Sequence, residues 1–118
     1  MNIIDIGNIS TFKSVLKKFK NKILIVYFYC EDYQEINQKI ESYIKEQCNN
    51  NIVFSRINAI KSKDLIDKLD ITSYPLIRIY NHQGYTKDVY ISIENYSNML
   101  DIIYKCWLNK PLNYTFFL

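Results

Sequence analysis

The side chain best suited to covalent chemistry is Cys30, which stands with Glu31, Asp32 and Tyr33 directly after an apolar run. A thiolate can attack a disulfide, accept a glutathione cap or be oxidised to a sulfenic acid. Cys30 is therefore a candidate monothiol nucleophile or redox sensor. The adjacent carboxylates of Glu31 and Asp32 disfavour a thiolate, whereas a following helix N-terminus favours one. The plainer role is a small, half-buried residue at a strand end. Cys48 and Cys106 fall on the inward faces of helical patterns, where packing accounts for them. Three cysteines and one histidine without close spacing make no zinc site. No Gly-rich phosphate loop is present, and no cofactor is expected.

Non-covalent chemistry has more material. With 11 Tyr and 6 Phe in 118 residues, some aromatic rings must reach the surface. Tyrosine suits an interface because its ring packs while its hydroxyl stays wet. The chain ends in the apolar stretch Tyr114-Thr115-Phe116-Phe117-Leu118, which must either fold back over a sheet edge or insert into a partner. The net charge of +3 is small, and its one dense basic run, Lys13 to Lys22, reads as a solvated helix face. This predicts no nucleic-acid footprint. No run approaches the roughly 20 apolar residues of a membrane span, and the N-terminus lacks a signal-peptide pattern. A cytoplasmic location with reduced thiols is the expectation.

The elements that must position these residues follow from apolar periodicity. Asn2 to Ile6 fits a short strand. Asn8 or Ser10 can cap a helix whose core face is Phe12, Val15, Leu16 and Phe19. Ile23 to Tyr29 is nearly continuous apolar and β-branched, as a strand buried on both faces must be, so strand, helix and buried strand form a right-handed parallel unit. Asp32 with Glu35 predicts a capping box for a helix beginning near Tyr33 and carrying Ile36, Ile40, Tyr43, Ile44 and Cys48 inward. Ile52 to Asn58 is the next strand. Leu65, Ile66 and Leu69 show helical spacing. Pro75 cannot donate to a ladder, so it opens the strand Leu76 to Tyr80 rather than sitting inside it. A turn at Asn81 to Gly84 leads to a strand from Lys87 to Ile91. A last helix, Ile93 to Trp107, aligns Tyr96, Met99, Leu100, Ile103 and Trp107, and Pro111 stops it.

The order βαβαβαββα, with Ile71-x-x-x-Pro75, a strand, the Gly84 turn and a strand, resembles the thioredoxin domain over about residues 2 to 107. The resemblance implies an α/β thioredoxin fold: a central mixed sheet flanked by helices, with a cis-proline loop at Tyr74-Pro75. It divides the chain into a thioredoxin-like domain, 1–107, and an aromatic tail, 108–118. An active member carries Trp-Cys-x-x-Cys between the central strand and the next helix; here the segment reads Tyr29-Cys30-Glu31-Asp32-Tyr33-Gln34, with one cysteine and Tyr33 in the second position. The interval from Phe28 to Asn58 is also about two residues shorter than the family's, which places Cys30 at the strand end. The family's buried acidic residue is replaced by Tyr27. The resemblance therefore implies a redox-inactive domain that keeps the family's peptide groove, lined by Tyr29, Cys30, Tyr33, Tyr74 and Pro75, with Tyr90 beside them and Phe116 and Phe117 as a second docking element. Such members serve as protein-binding subunits of larger assemblies, a microtubule- or motor-associated one being named first. The alternatives are a monothiol oxidoreductase or sensor using Cys30 and Pro75, and a glutathione-binding domain, against which the few basic residues near the site, mainly Arg78 and Lys87, show no convergence on a carboxylate.

Overall fold

The computed structural model describes residues 2–47, 50–80, 85–98, 101 and 116–117. Strands β1 (Ile3–Asp5), β2 (Ile23–Tyr29), β3 (Ile52–Asn58), β4 (Leu76–Tyr80), β5 (Tyr85–Tyr90) and β6 (Phe116–Phe117) form one sheet in the order β1-β3-β2-β4-β5-β6. The first three run parallel; β4, β5 and β6 each pair antiparallel with the preceding neighbour. Helices α1 (Ile9–Lys18), α2 (Gln34–Lys45) and α3 (Lys63–Lys68) cover it.

The alternation of β2 explains the two cores. Leu24, Val26 and Phe28 pack with Phe12 and Val15 of α1 and Leu65 and Ile66 of α3. Ile23, Ile25 and Tyr27 point the other way, onto Ile36, Ile40 and Ile44 of α2. Successive strand residues face opposite sides, so a central strand with helices on both faces has to be apolar throughout, and residues 23–28 are all buried.

Local signals set the helix ends. Asn8 caps α1, its Oδ1 accepting the Thr11 N–H at 2.8 Å, while Lys17 and Lys18 occupy the last turn, where the helix dipole favours cations. At the end of α3, Asp70 takes a left-handed conformation, φ 56°, which aspartate tolerates better than most residues. The Ile71 N–H then returns to the Ile66 carbonyl at 3.0 Å. Arg78 on β4 donates to the Leu69 carbonyl at 2.7 Å and holds Asp88 of β5 with two bonds, 2.7 and 3.1 Å. These contacts fix the chain on both sides of residues 72–75.

One expectation is corrected. Asp32 does not cap α2: the helix starts at Gln34, the cap position falls on Tyr33, and no side chain there bonds a backbone N–H, because a phenol cannot reach back as a short carboxylate does. The region of the last expected helix begins, where described, with a 3₁₀ turn, Tyr96–Asn98; the rest of Ile93 to Trp107 lies for the most part outside the described residues, as do Cys48 and Cys106. Phe116 and Phe117 return to the sheet edge, the first of the two outcomes expected for the tail, and add a sixth strand through their main chain, in register with Thr86 and Tyr85.

Candidate functional site

The carboxyl ends of β2 and β3 meet the amino end of β4, since Phe28 pairs with Leu76 and Tyr29 with Asn58. Two turns leave this end side by side. The Ala59 N–H donates to the Tyr29 carbonyl at 2.7 Å. Asn58 organises the second turn by accepting the N–H groups of Ile60 and Lys61, both at 3.0 Å, and reaches the first turn by donating to Glu31 Oε1 at 3.0 Å. Lys61 Nζ lies 3.0 Å from the same carboxylate. Both side chains of that ion pair are mostly exposed, so solvent screens it and it contributes little; the backbone bonds set the geometry.

Cys30 follows β2 directly and is 6% exposed. Its carbonyl accepts two bonds, from the Tyr33 N–H at 3.1 Å and from Asn37 Nδ2 at 2.8 Å. Asn37 in turn accepts the Tyr27 hydroxyl at 2.6 Å. The chain Tyr27, Asn37, Cys30 thus runs from the buried strand through the first turns of α2 to the loop. Burial pushes the Tyr27 phenol well above the ordinary tyrosine range, with the negative charge of Glu41 and the neighbouring Tyr29 adding to the effect. Tyr27 is therefore a neutral hydrogen-bond donor across the physiological range, not a group poised to take a proton from a thiol. Cys30, Glu31, Asp32, Asn58, Ile60 and Lys61 border a shallow pocket of about 130 Å³.

Beside this loop, the rings of Tyr33 and Tyr74 approach to 6.4 Å between centroids at 51°. The Tyr74-Pro75 peptide bond is cis, and among the described residues no hydrogen bond engages the main chain of 72–74. Among the described residues, the large apolar side chains that remain exposed are Tyr33, Ile60, Tyr90 and Ile93. All belong to this end of the sheet: Tyr33 and Ile60 in the two turns, Tyr90 opposite Leu76 at the end of β5, and Ile93 three residues on.

The structure brings together Tyr33 and Tyr74, the latter joined to Pro75, with Cys30 buried in the same turn as Tyr33, but not Tyr29. Tyr29 shares the face of Tyr27, two residues away, and its ring lies 5.9 Å from Tyr27 and 5.5 Å from the Arg56 guanidinium. Arg56 is itself paired with Asp5 and Glu41. Strand alternation sends Tyr29 to the α2 side, away from the cis-proline loop. Arg78 is equally committed, to Asp88 and the Leu69 carbonyl, so it offers no free guanidinium to a carboxylate ligand. Sequence reasoning missed Asn37 and Asn58. The available signals were a polar residue beside Ile36 one turn into an amphipathic helix, and an Asn closing an apolar strand, where its side chain can organise a turn.

A thioredoxin family model matches residues 4–104. The chain belongs to the thioredoxin family. Among solved structures, the thioredoxin of Schistosoma mansoni superposes with a TM-score of 0.72 at 18% identity, covering 88% of this chain and 94% of that one. The Fasciola hepatica thioredoxin gives 0.69 at 16% identity, covering 87% and 98%. Identities this low establish the fold alone. A curated relative, the ER-retained PMA1-suppressing protein 1 of Saccharomyces cerevisiae, is 33% identical over 84 residues, which is 68% of this chain and 12% of that protein. The thioredoxin domain described here thus spans a small part of that relative's length. Among the described residues, no helix is long and apolar enough to cross a membrane.

Proposed function

We propose that this thioredoxin-family domain is a protein-binding module that does not catalyse dithiol exchange, and that it holds an extended segment of a partner against residues 72–75. The observation that carries the reading is the loop after β2: its single thiol, Cys30, is 6% exposed, and position 33, where a resolving thiol would stand, is a tyrosine turned to Tyr74. A dithiol cycle needs an accessible thiolate to attack and a second thiol to resolve the mixed disulfide. What the loop offers instead is open main chain at 72–74 beside exposed aromatic rings, which suits strand addition by a peptide. Main-chain bonds supply affinity in that mode, and the rings supply the apolar contact.

The module works as a subunit or domain of a larger assembly, a cytoskeletal or motor-associated one being the setting suggested by redox-inactive members of the family. A second reading concerns location: the yeast relative is named for retention in the ER, which favours a secretory-pathway compartment over the cytoplasmic one.

Insulin reduction by dithiothreitol tests the catalytic part. The wild-type chain should leave the lag before precipitation unchanged. A shortened lag that disappears in Cys30→Ser would overturn the proposal.

A further inference from the structure

We infer that the segment this groove accepts is cationic: an extended peptide with Lys or Arg flanking its apolar residues. The inference rests on the peptide-groove reading above and adds the chemistry of the occupant. Three carboxylates surround Tyr33 in sequence, Glu31, Asp32 and Glu35, and all three residues are exposed. They are not equivalent. Glu31 is already satisfied, by Lys61 Nζ at 3.0 Å and by Asn58 Nδ2 at 3.0 Å. Asp32 borders the shallow pocket with Ile60 and has no cationic partner among the described residues. Glu35 is in the same condition for a visible reason. Its helical partner at i+4, Lys39, which would ordinarily form a stabilising pair with it, instead places its ammonium 5.8 Å from the Tyr96 ring. Glu94 adds another exposed carboxylate beyond Tyr90.

Two exposed cations stand at this end, Lys61, which is paired with Glu31, and Lys63, which is followed by the exposed carboxylate of Asp64, so carboxylates outnumber cations here, and the rest of the protein's excess positive charge lies elsewhere. No Asp or Glu occurs from residue 6 to residue 30, and Lys13, Lys17, Lys18, Lys20 and Lys22 are all exposed. Helix α1 begins at this end, where the Ser62 hydroxyl donates to the Gly7 carbonyl at 3.1 Å, and runs away from it toward the start of β2 at Ile23. The lysines of its last turn and of the turn that follows therefore sit at the opposite end of the sheet. The result is an electrically polarised molecule, whose groove end carries open carboxylates and the exposed rings of Tyr33 and Tyr90. A Lys or Arg side chain meets both kinds of group favourably, as an ion-pair partner and through cation–π contact. An acidic segment would meet repulsion, and the difference steers encounter as well as affinity.

The test uses the full chain and two labelled, capped peptides that differ only in charge, one alternating valine with lysine and one alternating valine with glutamate, followed by fluorescence polarisation at low salt. The lysine peptide should bind roughly tenfold more tightly. The Asp32→Asn, Glu35→Gln double variant, which changes only exposed groups, should lose most of that preference, about 3- to 10-fold, while Tyr33→Ala should weaken both peptides. Equal binding of the two peptides by the wild-type chain would overturn the charge inference and leave the groove standing. Failure of both peptides to bind, or binding indifferent to Tyr33→Ala, would overturn the groove reading itself and this inference with it.

Discussion

Replacing Tyr27 by phenylalanine removes one oxygen and tests how the loop after β2 is held. In the native chain the Tyr27 hydroxyl donates to Asn37 Oδ1 at 2.6 Å, and Asn37 Nδ2 donates to the Cys30 carbonyl at 2.8 Å. Tyr27 is 3% exposed, so water replaces the lost donor poorly. Tyr27→Phe leaves Asn37 Oδ1 without its partner and should cost about 1–2 kcal/mol. Asn37→Ala removes both bonds; it strands the Tyr27 hydroxyl and leaves the Cys30 carbonyl with the Tyr33 N–H alone, for about 2–3 kcal/mol. The losses share a bond, so the double variant should fall short of their sum by about 1 kcal/mol. Urea unfolding followed by far-UV circular dichroism measures this. With a slope of roughly 1–3 kcal/mol per molar, Tyr27→Phe should lower the midpoint by about 0.5–1 M. A shift below about 0.1 M, or strictly additive losses, would refute the claim that Tyr27 acts on the loop through Asn37.

Tyr80 provides a contrasting case: it is 1% exposed, packs edge-on to Phe12, and among the described residues its hydroxyl makes no hydrogen bond of ordinary geometry, although the Arg78 guanidinium stands beside it. Tyr80→Phe should therefore be neutral or stabilise by up to about 1 kcal/mol, and a midpoint that falls by more than the error of urea unfolding would contradict this. Burial pushes the same hydroxyl up to about 12, offset only in part by the positive charge of Arg78. The folded chain then keeps a proton that the unfolded chain releases near 10, so stability is full below about pH 10 and falls as pH rises toward about 12, by roughly 2–3 kcal/mol from this residue. Urea midpoints across that window should fall less steeply in Tyr80→Phe than in the wild type. Arg78→Met deletes the two bonds to Asp88 and the one to the Leu69 carbonyl and should cost about 2–4 kcal/mol. It should also speed amide exchange between Leu69 and Tyr74, with unchanged exchange counting against Arg78 as the brace of the cis-proline loop.

The sheet was legible because its constraints are written into single residues. Continuous apolar residues from Ile23 to Phe28 require cover on both faces, and Pro75 can only stand at the mouth of a strand; the structure has both. The cap of α1 was readable as one of two short polar side chains ahead of Phe12, Asn8 or Ser10, and the structure uses Asn8. The site was less legible because its bonds join distant segments. Asp32 looked like a cap on local pattern, yet the turn closed by the Tyr33 N–H on the Cys30 carbonyl carries the cap position one residue further. The family resemblance puts Tyr29 in the groove, although its period-two relation to Tyr27 assigns it to the α2 face. Nothing local to Asn37 reveals that it bridges Tyr27 and Cys30, because that role depends on the packing of α2 on β2. The apolar tail called for cover, at a sheet edge or by a partner, but not for a particular neighbour: Phe116 and Phe117 pair about thirty residues away on β5, a pairing that loop-closure entropy weakly penalises and local sequence does not encode.

The most direct test of a binding module over a redox enzyme is the alkylation rate of Cys30 in the folded chain between pH 6 and 8, read by mass spectrometry so that Cys48 and Cys106 are scored separately. The buried thiol should react slowly or not at all throughout that range and become fully reactive only in denaturant. Rapid modification already at pH 6, with a rate flat across the range, would mean an accessible, stabilised thiolate, and Cys30 would then be a nucleophile.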